Sequence, residues 1–398
     1  GGERMYRTVK IPFQTSKKDI DRLFECNRIS AQIWNDCLVI AKNYALKNNG
    51  KWINQTELQK QTKGKYPIHS QSIQAVCHKY LNARDSAKKA KQKGLDNKYP
   101  YKQKKYFNTK WANNGFIIHP NGTIELKMGR WERKNQPPIV VKIDKEQIPN
   151  GTVKEIELIF DAKHWKLMLC LSYENGEQPT TKKEGTIAAG DPGEIHAISA
   201  VSENGSSIII TGRKIRSIHR LRNKKIAELQ KKMSKCKKGS RKWKKYNRAK
   251  QYILSKSEAQ LKDCLHKTTK QLVDWCLEQN VKHFMIGDVE GVQRNKKKKR
   301  SKLVNQKLSN WCFGKLYDYL KYKLEAKGIT FEKVDESYTT QTCPVCGKKK
   351  KPSSRNFICA CGYSQHRDVH SACNILTKHL YGEFRPMKIT NHKYLRIA

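Results

Sequence analysis

The chain opens with a pattern typical of a β-strand and then changes to a helical one. Residues 5–13 alternate apolar and polar positions, the two-residue period of a strand with one buried face. Between residues 16 and 90, apolar side chains recur about once per helical turn, as Ile20, Leu23 and Phe24 do. We therefore predict a first strand that a helical segment separates from the rest of its sheet.

Short alternating runs return after the helical segment and offer partners for the first strand. Turns that contain Asn-Gly or proline join them. The predicted strands cover residues 116–118, 123–126, 139–143, 153–160 and 165–173. The simplest arrangement is a small β-barrel formed by residues 5–15 and 110–180, interrupted by a helical domain at 16–109.

The second half of the chain alternates strands and helices. A Lys-rich linker near 178–184 leads to a strand of small residues that ends at Asp191. Further strands are predicted at 195–201, 207–211, 281–290 and 329–334, and helices at 213–280, 310–327 and from 366 onward. The long helical stretch is expected to form a hairpin, because Lys237-Lys-Gly-Ser240 interrupts it. The chain is thus predicted to be an α+β multidomain protein.

Four cysteines form two closely spaced pairs. Cys343 and Cys346 are separated from Cys359 and Cys361 by a spacer of twelve residues, and a glycine follows each pair. Thiolates on two such tight turns can converge on one tetrahedral Zn²⁺, and four thiolates leave no open position for a substrate. The second pair has one intervening residue where two are usual. The pattern predicts a structural zinc site.

Acidic residues stand at the ends of several predicted elements. Asp191 ends a strand, and Asp368 lies near the start of the last helix. The strand at 281–290 ends in Asp288 and Glu290, and Asp335 and Glu336 follow the strand at 329–334, so Asp191, Asp368 and one glutamate could form a single site. Two Mg²⁺ ions that hydrolyse a phosphodiester need three or four carboxylates to bind them. The alternative is that each acid caps a helix or pairs with a nearby lysine. Their shared placement in an acid-poor chain favours the metal site.

The charge of the chain indicates a polyanionic partner. Lys and Arg number 82 against 35 Asp and Glu, a net charge of +47. Nucleic acid is the expected partner, and no membrane association is expected, because no apolar run approaches the roughly 18 to 20 residues of a spanning helix. The thirteen cysteines, an odd number with nine outside the two pairs, favour a reducing compartment.

Two segments are candidates for direct contact with nucleic acid. Aromatic rings and lysines interleave between residues 99 and 111, a composition suited to base stacking and phosphate contact. A second, purely basic run follows the strand at 281–290. The candidate residues are Tyr99, Tyr101, Lys102, Lys104 and Lys105 in the first segment, and Lys296, Lys297, Lys298, Lys299 and Arg300 in the second. A solvated loop and a nuclear localisation signal, respectively, are the alternatives.

Several motifs together resemble a known family. Gly190-Asp-Pro-Gly193, Ile286-Gly-Asp-Val289, the segment from Glu336 to Gly347, and Arg367-Asp-Val-His-Ser-Ala-Cys-Asn-Ile375 are similar to the three split RuvC motifs and the zinc ribbon of the TnpB family. These are transposon-encoded RNA-guided nucleases, apparent ancestors of the type V CRISPR effectors. The resemblance implies an RNase H-like RuvC domain at 184–340 and 364–398, a zinc ribbon at 341–363, a wedge barrel and a recognition domain.

One position departs from the family pattern. The middle RuvC strand usually ends in a glutamate, and this chain has Gly287 there, which cannot bind a metal. A rearranged form of the family, shared with the eukaryotic Fanzor proteins, uses a glutamate just before the zinc ribbon, and Glu336 occupies that place. The alternatives are that Glu290 supplies the third carboxylate or that the site is inactive.

The resemblance implies an RNA-guided DNA endonuclease. It would use two Mg²⁺ ions at Asp191, Glu336 and Asp368, one structural Zn²⁺, a guide RNA from the transposon end and double-stranded target DNA beside a short flanking motif. Its location would be the prokaryotic cytoplasm, near the nucleoid, or the nucleus if the protein is a eukaryotic relative. The rival functions are a nuclease-inactive RNA-guided repressor and a zinc-ribbon protein that binds RNA without targeting DNA.

Overall fold

The computed structural model describes residues 6–176, 179–193, 196–289 and 313–397. The chain divides into two compact units between residues 177 and 178. Each unit has its own hydrophobic core.

The first unit contains a strand, three helices and then a series of strands, as the hydrophobic pattern predicts. Its elements are β1 (Tyr6–Ile11), α1 (Lys17–Lys47), α2 (Gln55–Thr62), α3 (Ser70–Gln92), β2 (Thr109–Ala112), β3 (Phe116–Ile118), β4 (Thr123–Leu126), β5 (Arg130–Trp131), β6 (Lys134–Asn135), β7 (Ile139–Lys142), β8 (Thr152–Asp161) and β9 (Lys166–Glu174). Strands β2, β5 and β6 were not among the predicted strands.

The strands of the first unit pair in two main sheets. One has the order β1-β9-β8-β2 and is antiparallel throughout, and the other has the order β3-β4-β7. The first strand therefore finds its partner, β9, only after the helices have intervened. Both sheets contribute to one core with the helices, in which Leu23 and Ile33 of α1, Trp111 of β2 and Ile124 of β4 are fully buried.

The second unit contains a large sheet and a long helical hairpin. Its elements are β10 (Thr186–Pro192), β11 (His196–Ser202), β12 (Ser206–Thr211), α4 (Arg213–Ser234), α5 (Arg241–Glu278), β13 (Val281–Gly287), α6 (Phe313–Ala326), β14 (Thr330–Val334), β15 (Asn356–Ile358), β16 (Ser364–His366), α7 (Arg367–Tyr381) and β17 (Asn391–Leu395). The predicted break in the hairpin is confirmed, because α4 ends at Ser234 and α5 begins at Arg241, capped by Ser240, whose side chain accepts from the Trp243 N–H.

The sheet of the second unit has six strands in the order β14-β13-β10-β11-β12-β17. Strands β10, β13 and β14 are parallel neighbours, so their carboxyl ends lie at one edge. Helix α7 covers one face through Val369, Ala372 and Ile375, and α5 and α6 contribute to the core on the other. Adjacent residues of a strand pack on opposite faces of the sheet, as Ala188 and Ala189 of β10 do.

The predicted α+β multidomain fold is confirmed by this arrangement. Within the described residues, no helix combines the length and the apolar character needed to cross a membrane.

Candidate metal centres

Carboxylates collect at the edge of the sheet where the three parallel strands end. Asp191 is the second-last residue of β10, Asp288 directly follows β13, and Glu336 lies two residues beyond β14. The Asp288 N–H donates to the Val334 carbonyl (2.8 Å), which extends the pairing of β13 and β14 to this edge. The register of the sheet thus accounts for the meeting of acids that are far apart in the sequence.

The Glu336 side chain occupies the space beside Gly287. A Cβ atom at residue 287 would lie 2.7 Å from Glu336 Oε2 and 3.1 Å from Glu336 Cβ, both shorter than a normal contact. A side chain at residue 287 would therefore require the Glu336 side chain to shift from its present position. The carboxylate comes from the loop after β14 and lies against the end of β13.

Helix α7 brings Asp368 to the same place. Ser199 of β11, which is fully buried, donates from Oγ to the Asp368 carbonyl (3.0 Å), and the Asp191 carbonyl lies 3.4 Å from the same oxygen. The first turn of α7 is capped by His366, whose Nδ1 accepts from the Asp368 N–H (3.2 Å). These contacts fasten the start of α7 to the strand that carries Asp191.

The acids perturb one another electrostatically. Burial, and then the carboxylates of Glu336 and Asp368, raise the pKa of Asp191 well above its usual range. Burial also raises the pKa of Glu336, with a contribution from Asp288, and Asp191 and Glu336 share a hydrogen bond. Neighbouring carboxyl groups of this kind retain a proton unless a cation neutralises them. This donor set fits hard divalent cations such as Mg²⁺.

Two histidines that sequence analysis did not single out lie beside Asp368. His196 Nε2 is 3.6 Å from Asp368 Oδ2, and ligating atoms of His196, His366 and Asp368 lie within 4.8 Å of one another. His196 is buried, and burial lowers its pKa, which favours the neutral imidazole. The histidines thus border the carboxylate group on the side of α7.

The four predicted zinc ligands come together. All four Sγ atoms lie within 4.8 Å of one another, with Cys343 and Cys361 separated by 3.6 Å and Cys346 and Cys359 by 3.5 Å. Zn–S bonds of about 2.3 Å in a tetrahedron place sulfur atoms about 3.8 Å apart, so the cluster fits Zn²⁺. Backbone hydrogen bonding from Cys361 lowers the pKa of Cys359 to about 7, whereas burial raises the pKa of Cys343 to about 12. The Cys343 thiol would therefore lose its proton only as a metal binds.

Both cysteine pairs lie on tight turns that glycine permits. Gly347 and Gly362 have positive φ angles of 74° and 98°, and their N–H groups donate to the Cys343 and Cys359 carbonyls (2.9 and 3.0 Å). The shortened second pair therefore still presents its thiols to the cluster. The ribbon also contacts α7, because the Phe357 ring stacks on His370 at a centroid distance of 4.1 Å.

The candidate nucleic-acid segment of the first unit is partly exposed. Tyr99, Tyr101, Lys102 and Lys105 are exposed, and the Tyr99 ring also packs edge-on against Trp52 at a centroid distance of 5.1 Å. The Lys104 backbone exchanges two hydrogen bonds with the Asn35 side chain (2.8 and 2.9 Å), which attaches the segment to α1. The structure thus presents some of these side chains and uses others for packing.

Some predicted residues lie outside the described part of the chain. They are Glu290, the alternative third acid, and the run Lys296, Lys297, Lys298, Lys299 and Arg300. Their roles stay predictions.

Comparison with known proteins gives the family. The family model "Cas12f1-like, TNB domain" matches residues 313–375, and the model "Probable transposase" matches residues 170–293. A TnpB-like protein of Methanocaldococcus jannaschii is 30% identical over 194 residues, which are 47% of this chain and 67% of that protein. The chain belongs to the TnpB family.

This TnpB-family protein is also similar to CRISPR effectors, in sequence over part of the chain and in fold. Cas12f2 of a Micrarchaeota archaeon, a CRISPR-associated endodeoxyribonuclease, is 30% identical over 145 residues, which are 34% of this chain but only 27% of that protein. The cryo-EM structure of a Cas12f1–sgRNA–target DNA complex matches with a TM-score of 0.64 at 15% identity, over 90% of this chain and 82% of that one. The TnpB-family chain therefore shares the fold of Cas12f1.

Proposed function

We propose that this protein is an RNA-guided DNA endonuclease that hydrolyses phosphodiesters at Asp191, Glu336 and Asp368. The observation that carries the proposal is the overlap of Glu336 Oε2 with the space beside Gly287, 2.7 Å from where a Cβ atom would lie. A carboxylate is therefore present at the end of the middle strand although its own residue is glycine.

Each acid has a distinct support within the protein. Asp191 is held by the sheet, Asp368 by the Ser199 hydroxyl, and Glu336 by the loop that leads to the zinc ribbon. The three carboxylates would hold two Mg²⁺ ions. When bound, these ions activate water and stabilise the charge that develops on the phosphate. The carboxylates fix where the ions bind, and their buried surroundings strengthen the attraction.

The nucleic-acid partners are inferred from charge and from the relatives. Helix α4 carries nine Lys and Arg against one acid, and a groove beside it is lined by Arg222, Lys225, Tyr252 and Lys256. Such surfaces bind phosphate backbones without reading sequence. The Cas12f1 of similar fold was solved with guide RNA and target DNA. We infer a guide RNA from the transposon end and double-stranded DNA beside a short flanking motif.

Zinc has a structural role in this proposal. Four thiols within 4.8 Å of one another fill a tetrahedral coordination sphere, so no position remains for a substrate. The ribbon lies directly after the loop of Glu336, and it would hold that loop against α7.

A nuclease-inactive repressor is the rival function, and the glycine at residue 287 is the observation in its favour. The test is to sequence the RNA that copurifies with the protein, place its matching sequence in plasmids with randomised flanks, and measure cleavage in Mg²⁺. Asp191→Asn and Asp368→Asn should abolish cleavage and retain the RNA. Cleavage at the wild-type rate by either variant would refute the site, and binding without cleavage by the wild type would favour the repressor.

A further inference from the structure

Asn374 is a buried polar residue in the helix that also carries Asp368. Its side chain is fully buried, and Nδ2 donates to the Thr339 carbonyl (2.8 Å) and to the Thr342 carbonyl (3.0 Å). Both acceptors lie in the loop between β14 and the zinc ribbon, more than thirty positions away in the sequence. A buried amide with two such bonds is a strong local constraint, because breaking them leaves buried carbonyls unpaired.

The loop held by Asn374 also holds Glu336. Thr339 donates to the Glu336 carbonyl from both its N–H (3.1 Å) and its Oγ1 (2.7 Å). Thr342 donates in the same double way to the Tyr338 carbonyl, at 3.1 and 2.9 Å. Both threonines are buried. A chain of hydrogen bonds therefore runs from Asn374 through Thr339 to the backbone of Glu336.

The two ends of the loop are fixed by different means. At one end β14 pairs with β13, and at the other the next residue after Thr342 is the zinc ligand Cys343. Asn374 fastens the middle of the loop to α7, six residues beyond Asp368. Glu336 and Asp368 are thereby tied to one rigid helix, although their places in the sequence are far apart.

We infer that Asn374 is a positioning residue, which holds Glu336 in the metal site by fastening the loop of residues 336–342 to the helix of Asp368. The inference rests on the proposed function and extends it, because it names what sets the third carboxylate in place. Residues that support metal ligands without touching the metal typically change metal affinity or activity by about 10- to 100-fold when they are replaced.

The test compares Asn374→Leu with Thr377→Val. Leucine has a similar volume but donates no hydrogen bond. Thr377 is also buried in α7, and its Oγ1 donates to the Cys373 carbonyl (3.0 Å) and accepts from the Arg385 N–H (3.1 Å). Neither partner lies in the loop of residues 336–342, so its replacement changes the same helix without releasing that loop. Full-length protein with its copurified RNA is used, and zinc content and RNA binding are measured for each variant.

Asn374→Leu should raise the Mg²⁺ concentration for half-maximal cleavage by about tenfold or more, with zinc and RNA retained, whereas Thr377→Val should leave it unchanged. Because Asn374 would act through Glu336, adding Asn374→Leu to Glu336→Gln should cause no further loss. Equal Mg²⁺ dependence in Asn374→Leu and wild type, or additive losses in the double variant, would overturn the inference.

A second readout separates this inference from the proposed function. The rise in Tm on adding Mg²⁺ requires only metal binding, and it should be smaller in Asn374→Leu than in Thr377→Val. If the wild type gains stability from Mg²⁺ but never cleaves, the proposed function fails while this comparison still decides the role of Asn374. Equal Tm gains in the two variants would contradict that role.

Discussion

The Glu336 carboxylate lies directly against the position where a side chain at Gly287 would begin. The distance from Oε2 to the position of a Cβ atom on Gly287 is 2.7 Å, and the Ile375 Cδ1 atom is 3.2 Å from the same position. Glycine at this position therefore leaves room for the Glu336 carboxylate where it now lies, and a larger residue would displace it. Because residue 287 has no side chain that could bind a metal, the Glu336 carboxylate can occupy the space beside it.

This close contact predicts what a side chain added at residue 287 would do. Gly287→Ala should displace the Glu336 carboxylate and lower the cleavage rate, although alanine is a mild change elsewhere in a strand. Gly287→Glu should be worse, since two carboxylates would compete for one space. Combining Gly287→Glu with Glu336→Ala should recover part of the activity. If the double variant cleaves no faster than Gly287→Glu or Glu336→Ala alone, a carboxylate on residue 287 cannot replace that of Glu336.

Zinc content should follow the four clustered cysteines. Cys346→Ser should reduce zinc below about one ion per chain and lower the Tm, because three thiols bind Zn²⁺ less tightly than four. Cys236→Ser is the matched control, since Cys236 lies between α4 and α5, away from the cluster. Elemental analysis and thermal unfolding measure both effects. A fully stable, zinc-loaded Cys346→Ser protein would refute the cluster.

The raised pKa of Asp191 predicts a pH-dependent benefit from Mg²⁺. Without metal, a carboxyl group whose pKa is raised in the folded state stabilises the fold at low pH, and this stability is lost as pH rises through the folded pKa. Mg²⁺ replaces the proton, so its gain in Tm should be larger at pH 8 than at pH 5.5. Asp191→Asn should reduce the gain at both values.

The control for this titration is Asp263→Asn, because Asp263 is an exposed residue of α5 that pairs with Lys267. The gain in Tm that Mg²⁺ gives to Asp263→Asn should equal the gain of the wild type at both pH values. A gain in Tm that is independent of pH, or that survives in Asp191→Asn, would contradict the assignment of Asp191 as a ligand.

Tyr101 should contribute to RNA binding by stacking. Its ring is 59% exposed, and the Lys98 and Lys102 ammonium groups lie 5.6 and 5.9 Å from the ring centroid. Tyr101→Ala should weaken binding of the copurified RNA by about 1–3 kcal/mol, the usual worth of one stacked base. Tyr101→Phe keeps the ring and should bind normally. Equal affinities of Tyr101→Ala and Tyr101→Phe in filter binding would exclude stacking.

Local sequence patterns predicted most of the helices and strands and the acidic residues at their ends. Strands with alternating residues, the helical hairpin and the cysteine turns are all encoded within short windows of sequence. The edge strand β17 escaped prediction because Asn391–Leu395 is mostly exposed and lacks an apolar face. It joins the sheet by parallel pairing with β12, and the Ser207 hydroxyl of β12 also shares a hydrogen bond with His392 Nδ1 (2.6 Å).

Contacts between residues far apart in the chain could not be predicted from the sequence. Asn374 bonds to carbonyls more than thirty positions away, and His196 approaches Asp368 from a strand early in the second unit. The spacing of His370 and Asn374, four residues apart and therefore on one side of α7, was the available signal. It indicates buried polar residues but not what they bind.

The central claim is that Glu336 completes the metal site, and the most direct measurement compares cleavage rates of Glu336→Gln and Glu290→Gln with guide RNA bound in Mg²⁺. Glutamine keeps the shape of the side chain and removes the charge that holds the metal. The account predicts that Glu336→Gln loses several orders of magnitude in rate while Glu290→Gln cuts nearly as the wild type does. Normal cleavage by Glu336→Gln, with a loss in Glu290→Gln, would contradict it.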